Sequence, residues 1–356
     1  MSTPAFAIAT AVLVVATLLP VIRSGRWWIR GFDFPRLQLA VGSAGLLMAQ
    51  LAFSPMDGPW TVAIVAANAA CVLWQAWWIL PYTRLMPREV EDAPADAGSR
   101  IRLMASNVLM PNRDADRLLA LVREHRPDVL IAVETDAWWE TRLDTLLDVL
   151  PHAIRCPLDN LYGMHLYSRL PLHEAEVRYL VEDDIPSMHA TLDIDGRRLA
   201  LHALHPRPPS PTEAESSQER DAELVVVGRA AKRSPIPVIV AGDLNDVAWS
   251  RTTRLFRKIS GLLDPRIGRG MYNTFHARLP GLRWPLDHLF HSRHFTLVSL
   301  RRLPDVGSDH FPILVELALA PGENDADAGL DDDATAEHDA REALDGVQAD
   351  EAPVPG

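Results

Sequence analysis

The sequence predicts an α/β protein in which β-sheets pack face to face and are covered by helices, with three membrane helices preceding them. Before residue 83, three long apolar blocks contain no charged residue, whereas residues 100–320 alternate apolar strand-like runs with polar loops. The strand-like runs lie at residues 101–110, 128–134, 165–168, 188–194, 198–205, 237–245, 286–292 and 311–317, and helices are predicted at residues 114–125 and 212–232. Some of the strand-like runs are continuously apolar and others alternate in polarity. This mixture is typical of parallel-type and antiparallel strands in packed sheets.

The three apolar blocks cover residues 6–22, 37–53 and 60–82, and none of them contains Asp, Glu, Lys or Arg. The third block exceeds the roughly 20 residues that span a bilayer, and the first two come close to that length. We therefore predict three transmembrane helices within a membrane region of residues 1–87. A buried helical hairpin is the alternative. A cleaved signal peptide is disfavoured because no Lys or Arg precedes the first block.

Charges beside these blocks predict the orientation of the chain, because short cytoplasmic loops retain Arg and Lys. The second loop, residues 54–59, carries only Asp57. The first loop carries four arginines, namely Arg23, Arg26, Arg30 and Arg36. This asymmetry predicts a multi-pass protein of the inner membrane, with the amino terminus outside and everything after residue 83 in the cytoplasm.

Composition predicts three further segments. Residues 88–99 are polar and contain Pro and Gly, which is typical of a linker, and residues 100–320 form a folded domain. Residues 321–356 contain 12 acidic residues and one Arg, a net charge of −11 out of −12 for the whole chain, which leaves −1 for the remainder. We predict that this acidic tail is disordered. It is either a solvated end or a partner-binding segment, and the sequence identifies no protein partner.

Polar side chains interrupt or end successive strand-like runs between residues 100 and 320. They are Asn107, Glu134, His205, Asp243, Asn245, Asp287, Asp309 and His310. A buried strand seldom ends in unpaired polar groups, so we expect these side chains to share partners or a ligand at one site. Carboxylates and imidazoles gathered in this way can hold a metal ion and transfer protons.

In their order along the chain, these motifs resemble the endonuclease/exonuclease/phosphatase (DNase I-like) superfamily, and more narrowly its bacterial members with amino-terminal membrane spans. The motifs are Asn107, Glu134, His205-Pro-Arg-Pro, Gly242-Asp243-Leu244-Asn245, Asp287 and Ser308-Asp309-His310. The resemblance covers residues 100–320. It implies a four-layered α/β sandwich, a divalent metal that is usually Mg²⁺ with Mn²⁺ as the alternative, and cleavage of phosphate esters.

The resemblance also implies a metal site. Glu134 is the expected metal ligand, assisted by Asp309, and Asp243 is expected to orient and deprotonate the attacking water. Leu109 supplies no second carboxylate two positions after Asn107, and Val133 stands where many members of the family have Gln. A site for one metal ion is therefore expected rather than a site for two.

The remaining motif residues are expected to bind the phosphate. Asn107 and Asn245 offer neutral donors to its oxygens, and His310 contacts it with an imidazole held by Asp287. His205 is assigned to the phosphate or to the leaving group.

From these residues we predict a metal-dependent phosphodiesterase, with nucleic acid as the leading substrate. A phospholipid headgroup, or another small phosphodiester or phosphomonoester at the membrane surface, is the alternative substrate. A catalytically inactive membrane scaffold is the alternative from another functional class.

Overall fold

A computed structural model describes residues 3–319 and 329–350, together with residues 352 and 354. The chain separates into two compact units. The helical unit contains the chain up to Pro87 together with Pro209–Ser217, and the globular unit contains the rest.

The helical unit consists mainly of α-helices. Its helices are α1 (Thr3–Leu18), α2 (Trp27–Arg30), α3 (Arg36–Phe53) and α4 (Pro59–Ile79). The segments Pro4–Val21, Arg36–Phe53 and Pro59–Tyr82 are long and apolar enough to cross a membrane. Buried polar side chains join the three long helices: Gln50 donates to Thr10 Oγ1 at 2.8 Å, and Gln75 donates to Thr17 Oγ1 at 3.1 Å. Such bonds between helices satisfy polar groups that lipid cannot solvate.

The segment Pro209–Ser217 differs from the sequence prediction, which places a helix from Thr212 to Lys232. Its backbone instead pairs with the connector between α1 and α2, where Ser217 N donates to Gly25 O at 2.9 Å and Trp27 N donates to Glu215 O at 3.1 Å. These backbone groups are therefore committed to the connector, and the helix begins later, at Gln218.

The globular unit contains two mixed β-sheets. In spatial order the first sheet consists of β10 (Phe295–Arg302), β11 (Ile313–Leu319), β1 (Arg100–Asn107), β2 (Val129–Val133), β4 (Met164–Ser168) and β3 (His152–Cys156). The second consists of β5 (Leu172–Arg178), β6 (Ser187–Ile194), β7 (Arg197–Leu204), β8 (Val238–Asp243) and β9 (Asp287–His291).

The two sheets pack against each other through one apolar core, to which Leu103 and Val315 contribute from the first sheet and Leu201 and Ile239 from the second. Four helices cover the outer faces. They are α5 (Ala115–His125) and α6 (Ala137–Leu143) on the first sheet, and α7 (Gln218–Arg233) and α8 (Arg251–Ser260) on the second. This arrangement confirms the predicted four-layered α/β sandwich.

Residues 88–99, which the sequence predicts to be a linker, pack as part of the globular unit. Val90 is completely buried in the core between the sheets, and the carbonyl of Glu91 accepts a hydrogen bond from Leu297 N at 2.9 Å. The polar composition of this segment therefore does not produce a free connector.

The acidic tail also differs from its prediction. Residues Ala334–Leu344 form a helix, α9, which Asp333 caps by accepting a hydrogen bond from Ala336 N at 2.8 Å. One face of α9 buries Ala336 and Ala340 in an apolar cluster with α7 and α8. The prediction of disorder is therefore wrong for this stretch, because small apolar side chains at helical spacing supply a packing face. Residues 320–328 lie outside the described part of the chain.

Candidate active site

The predicted site residues converge because the strands that carry them are neighbours. β1 and β2 run parallel, with Asn107 opposite Val133, so Glu134 follows at the same edge of the first sheet. In the second sheet β7 and β8 are parallel, which brings His205 and Asp243 to one edge. The antiparallel pairing of β8 with β9 then sets Asp243 directly opposite Asp287.

The backbone at this edge is specialised. Gly242 has a φ of 141°, and a Cβ at this position would lie 2.0 Å from the carbonyl oxygen of Leu204. Only glycine therefore lets β8 pass so close to β7 just before Asp243. Glu134 and Asn245 adopt left-handed conformations with φ values of 61° and 52°. Such conformations are costly for side-chain-bearing residues and concentrate at functional sites.

The Asn107 side chain links the two sheets at the centre of the site. Its Nδ2 donates to Glu134 Oε1 at 2.7 Å and to Asp243 Oδ2 at 3.1 Å. The other carboxylate oxygen of Asp243 accepts a hydrogen bond from Asn245 N at 2.9 Å. Asp243 is 1% exposed, and these donors compensate a carboxylate that is removed from water.

His310 lies between two carboxylates. Its Nδ1 is 2.8 Å from Asp287 Oδ2, and its Nε2 is 3.5 Å from Asp243 Oδ2. Burial alone lowers the pKa of His310, but Asp287 and Asp243 outweigh this effect and raise the pKa to about 10. At neutral pH the ring is therefore an imidazolium held in a fixed orientation.

His205 has the opposite electrostatic character. Burial lowers its pKa to about 4, even though its Nε2 lies 3.9 Å from Asp243 Oδ2. The ring of Tyr162 lies 5.3 Å from the imidazole. Among the described residues, Nδ1 of His205 has no hydrogen-bond partner. A neutral imidazole with one uncommitted nitrogen can pair with a bound group without adding charge.

Glu134 is suited to a divalent cation. The pKa of Glu134 is raised to about 7, because burial and the nearby carboxylates of Asp309 and Asp243 outweigh the hydrogen bond from Asn107 and the charge of His310. A desolvated carboxylate beside other carboxylates is stabilised in its ionised form by a bound cation, and hard oxygen ligands suit Mg²⁺ or Mn²⁺. The residues present therefore fit a metal ion of this class.

A second group is also compact enough to hold an ion. Donor atoms of Asp243, Asp287 and His310 all lie within 4.8 Å of one another. Metal binding by histidine requires an unprotonated ring nitrogen, whereas Asp287 and Asp243 favour the protonated ring of His310. A metal ion at this group would therefore displace a proton from His310.

Several contacting residues were not predicted from the sequence. The ring of Phe275 lies 4.9 Å from that of His310, and Thr274 Oγ1 accepts a hydrogen bond from Asp287 N at 3.2 Å. Arg220 of α7 is 1% exposed and donates to the carbonyl of Asn245 at 2.8 Å. Because these residues lie in loops or on a helix, no strand-end pattern marks them.

Comparison with known proteins agrees with this geometry. The sequence model of the endonuclease/exonuclease/phosphatase family matches residues 104–310, which is more than half of the 356-residue chain. The chain belongs to this family. Members of the endonuclease/exonuclease/phosphatase family are metal-dependent phosphoesterases, and the matched residues include every predicted site residue. No protein with a curated description matches the chain.

Solved structures share the fold of the family. An endonuclease/exonuclease/phosphatase from Beutenbergia cavernae DSM 12333 is 18% identical with a TM-score of 0.50, covering 63% of this chain and 72% of its own. D. rerio TDP2 complexed with single strand DNA product is 19% identical with a TM-score of 0.51, covering 62% and 99%. The human Nocturnin catalytic domain with bound sulfate anion is 18% identical with a TM-score of 0.51, covering 66% and 99%.

Proposed function

We propose that this protein is a metal-dependent phosphodiesterase and that its substrate is nucleic acid. The observation that carries the proposal is the environment of Asp243. This buried carboxylate accepts a hydrogen bond from the side-chain amide of Asn107, which also donates to Glu134. It also faces the His310 imidazolium. Phosphodiester hydrolysis requires a general base, a positively charged side chain and a carboxylate that binds a metal ion, all around one point.

Asp243 is the general base in this mechanism. Burial raises the pKa of Asp243, and Asp287 adds to the rise while His310 opposes it. A higher pKa makes the carboxylate a better proton acceptor from water at neutral pH. Its two oxygens are held by Asn107 and by the backbone of Asn245, so the carboxylate has a fixed orientation when it accepts the proton.

The other residues act on the negative charge of the phosphate in the transition state. His310 supplies a positive charge held by Asp287, and the Asn245 amide, which donates one hydrogen to Pro206 O at 3.0 Å, has a second hydrogen for the phosphate. Asn107, expected from the sequence to bind the phosphate, instead uses both amide hydrogens to hold the carboxylates of Glu134 and Asp243. We assign His205, in its neutral form, to a hydrogen bond with the leaving group. Held by Glu134 and Asp309, Mg²⁺ or Mn²⁺ would supply a Lewis acid that neutralises charge on the phosphate.

Nucleic acid as the substrate is supported by an aromatic side chain close in sequence to Glu134. Trp138 is half-buried, and the guanidinium groups of Arg113 and Arg142 lie 4.9 and 5.2 Å from its ring. An aromatic platform beside cations suits a stacked base and its phosphates. D. rerio TDP2, which shares the fold, forms a complex with a single strand DNA product, and this supports the same class of substrate.

The three apolar segments favour a second candidate substrate, a phospholipid headgroup, because a chain anchored in a bilayer can meet phosphodiesters at its surface. To distinguish the two candidate substrates, detergent-purified full-length protein is assayed with Mg²⁺ against single-stranded DNA, duplex DNA, RNA and phospholipid vesicles. Cleavage confined to the vesicles would replace nucleic acid with lipid in the proposal.

The same assay tests the metal site through Glu134→Gln. Because this change removes the charged ligand but keeps its shape, we expect activity to fall at least about 100-fold, comparable with chelation of the metal. The matched control is Glu124→Gln, which changes an exposed side chain on α5 and should alter activity less than about twofold. Full activity in Glu134→Gln or in excess chelator contradicts the assignment.

We propose further that the protein is a multi-pass protein of the inner membrane, with its globular unit in the cytoplasm. The arginines of the first loop and the single charge of the second, Asp57, support this orientation. A fluorescent reporter that folds only in the cytoplasm, fused after residue 356, should be active. A reporter that requires export should be inactive at the same position, and the reverse pattern contradicts the orientation.

A further inference from the structure

The C-terminal helix α9 covers a group of basic side chains on the globular unit. We name this group the basic face: it consists of Arg229 and Lys232 of α7 and Arg251 and Lys258 of α8. The helix follows residues 104–310, so it lies outside the part of the chain that matches the family.

Every member of the basic face is paired with an acidic residue of the C-terminal segment. The pairs are Arg229 with Glu337 at 3.1 Å, Arg251 with Asp339 at 2.8 Å, Lys258 with Asp333 at 2.7 Å, and Lys232 with Asp332. Arg251 also lies 3.8 Å from Glu342. The acidic side chains of this segment thus neutralise the basic face, as the charges of a bound polyanion would.

The ion pairs that hold α9 are partly exposed. The side chains of Lys232 and Arg251 are 51% and 32% exposed, and ion pairs of this kind contribute little individually and are screened by salt. The apolar contact consists of Ala336 and Ala340, with Ala343 and Leu344 packed against the same cluster. A helix of 11 residues is marginal without its partner surface, so competition for that surface can release it.

The basic face begins beside the candidate active site. Asp246 follows Asn245 directly, and its Oδ2 accepts a hydrogen bond from Ser250 Oγ at 2.5 Å. Ser250 in turn caps α8 by accepting from Thr253 N at 3.0 Å, and Arg251 is the first residue of that helix. A strand bound at Asn245 can therefore extend onto Arg251 and Lys258 of α8 and then onto α7.

We infer that the basic face binds the backbone of the nucleic-acid substrate and that the acidic helix α9 occupies this surface until substrate displaces it. This inference rests on the proposed function. Phosphates spaced along a strand would replace the carboxylates of α9, so the helix acts as a competitor within the same chain.

Oligonucleotide binding tests this inference. A labelled single-stranded DNA is titrated with detergent-purified full-length protein carrying Asp243→Asn, which prevents cleavage, and anisotropy gives the Kd. Adding Glu337→Gln with Asp339→Asn weakens the attachment of α9 to the basic face. Because two partly exposed ion pairs are lost, we expect DNA binding to tighten about fivefold. In this same background, Arg251→Ala with Lys258→Ala should weaken binding and reduce its dependence on salt.

The matched control, Asp331→Asn with Asp345→Asn, removes the same charge from residues that the described structure shows in no ion pair with the basic face. It should change Kd less than about twofold. Equal tightening in both variants would mean a bulk-charge effect and overturn the inference, as would weaker binding after Glu337→Gln with Asp339→Asn. Hydrolysis of bis-p-nitrophenyl phosphate is measured with Asp243 intact. This small substrate has no strand to reach the basic face, so its hydrolysis tests the proposed function separately from the inference.

Discussion

Replacing Asp243 with Asn is expected to lower kcat for phosphodiester hydrolysis about 10³-fold, with KM changed little, because a positioned general base contributes about 10²- to 10⁴-fold. Asn keeps the shape of the side chain, and its single amide oxygen can still accept one of the two hydrogen bonds that Asn107 and Asn245 N donate to the separate oxygens of Asp243. What it cannot do is accept a proton from water. Steady-state kinetics on bis-p-nitrophenyl phosphate with Mg²⁺ measures the loss.

The control for this change is Asp116→Asn, which makes the same substitution at an exposed position on α5 and should leave kcat within about twofold. Thermal unfolding of both variants verifies that each is folded. A loss in kcat smaller than about tenfold in Asp243→Asn, with the protein folded, would remove Asp243 from the role of general base.

Asp287→Asn is expected to produce the second large effect, through the charge of His310. Asp287 and Asp243 raise the pKa of His310 to about 10 against the effect of burial, so activity that needs the imidazolium should persist at neutral pH and fall only as pH approaches 10. Removing the Asp287 charge lowers this pKa. The alkaline limb of the kcat profile should then move to lower pH, with kcat at pH 8 reduced at least about tenfold.

The same pair affects stability. The pKa of His310 is higher in the folded protein than the ordinary value of 6.5, so the stabilisation it contributes is fully present below pH 6.5 and is lost as pH rises through about 10. Asp287→Asn should reduce this loss, as measured by the free energy of unfolding from pH 6 to 10. An alkaline limb that stays in place in Asp287→Asn would show that Asp287 does not set the charge of His310.

The sequence predicted the interior of the fold better than its edges. Interior strands have a neighbouring strand on both sides and are apolar, so their hydrophobic pattern identifies them; they are β1, β2, β7 and β8. The strands not recognised, β3, β5 and β10, all lie at the edges of the sheets. An edge strand is partly solvated, so it carries charged residues such as Glu174 and Glu176 in β5, which obscure the pattern.

The clustering of the candidate site residues was predictable for a related reason. Asn107, Glu134 and Asp243 end apolar interior strands, so a polar residue there stands out, and parallel pairing brings the strand ends together. Tyr162 and Phe275 contact the site from loops, where an aromatic residue gives no local signal. The late start of α7 and the packing of α9 depend on contacts distant in sequence, so local composition could not predict them.

The central claim is that one constellation, built on Asp243 and Glu134, performs metal-dependent phosphodiester hydrolysis. The most direct test measures the initial rate of bis-p-nitrophenyl phosphate hydrolysis by the full-length protein, with Mg²⁺ and with excess chelator, beside Asp243→Asn. We predict a rate that requires Mg²⁺ and falls about 10³-fold in the variant. A rate unaffected by chelation, or equal in the variant and the native protein, would contradict the account.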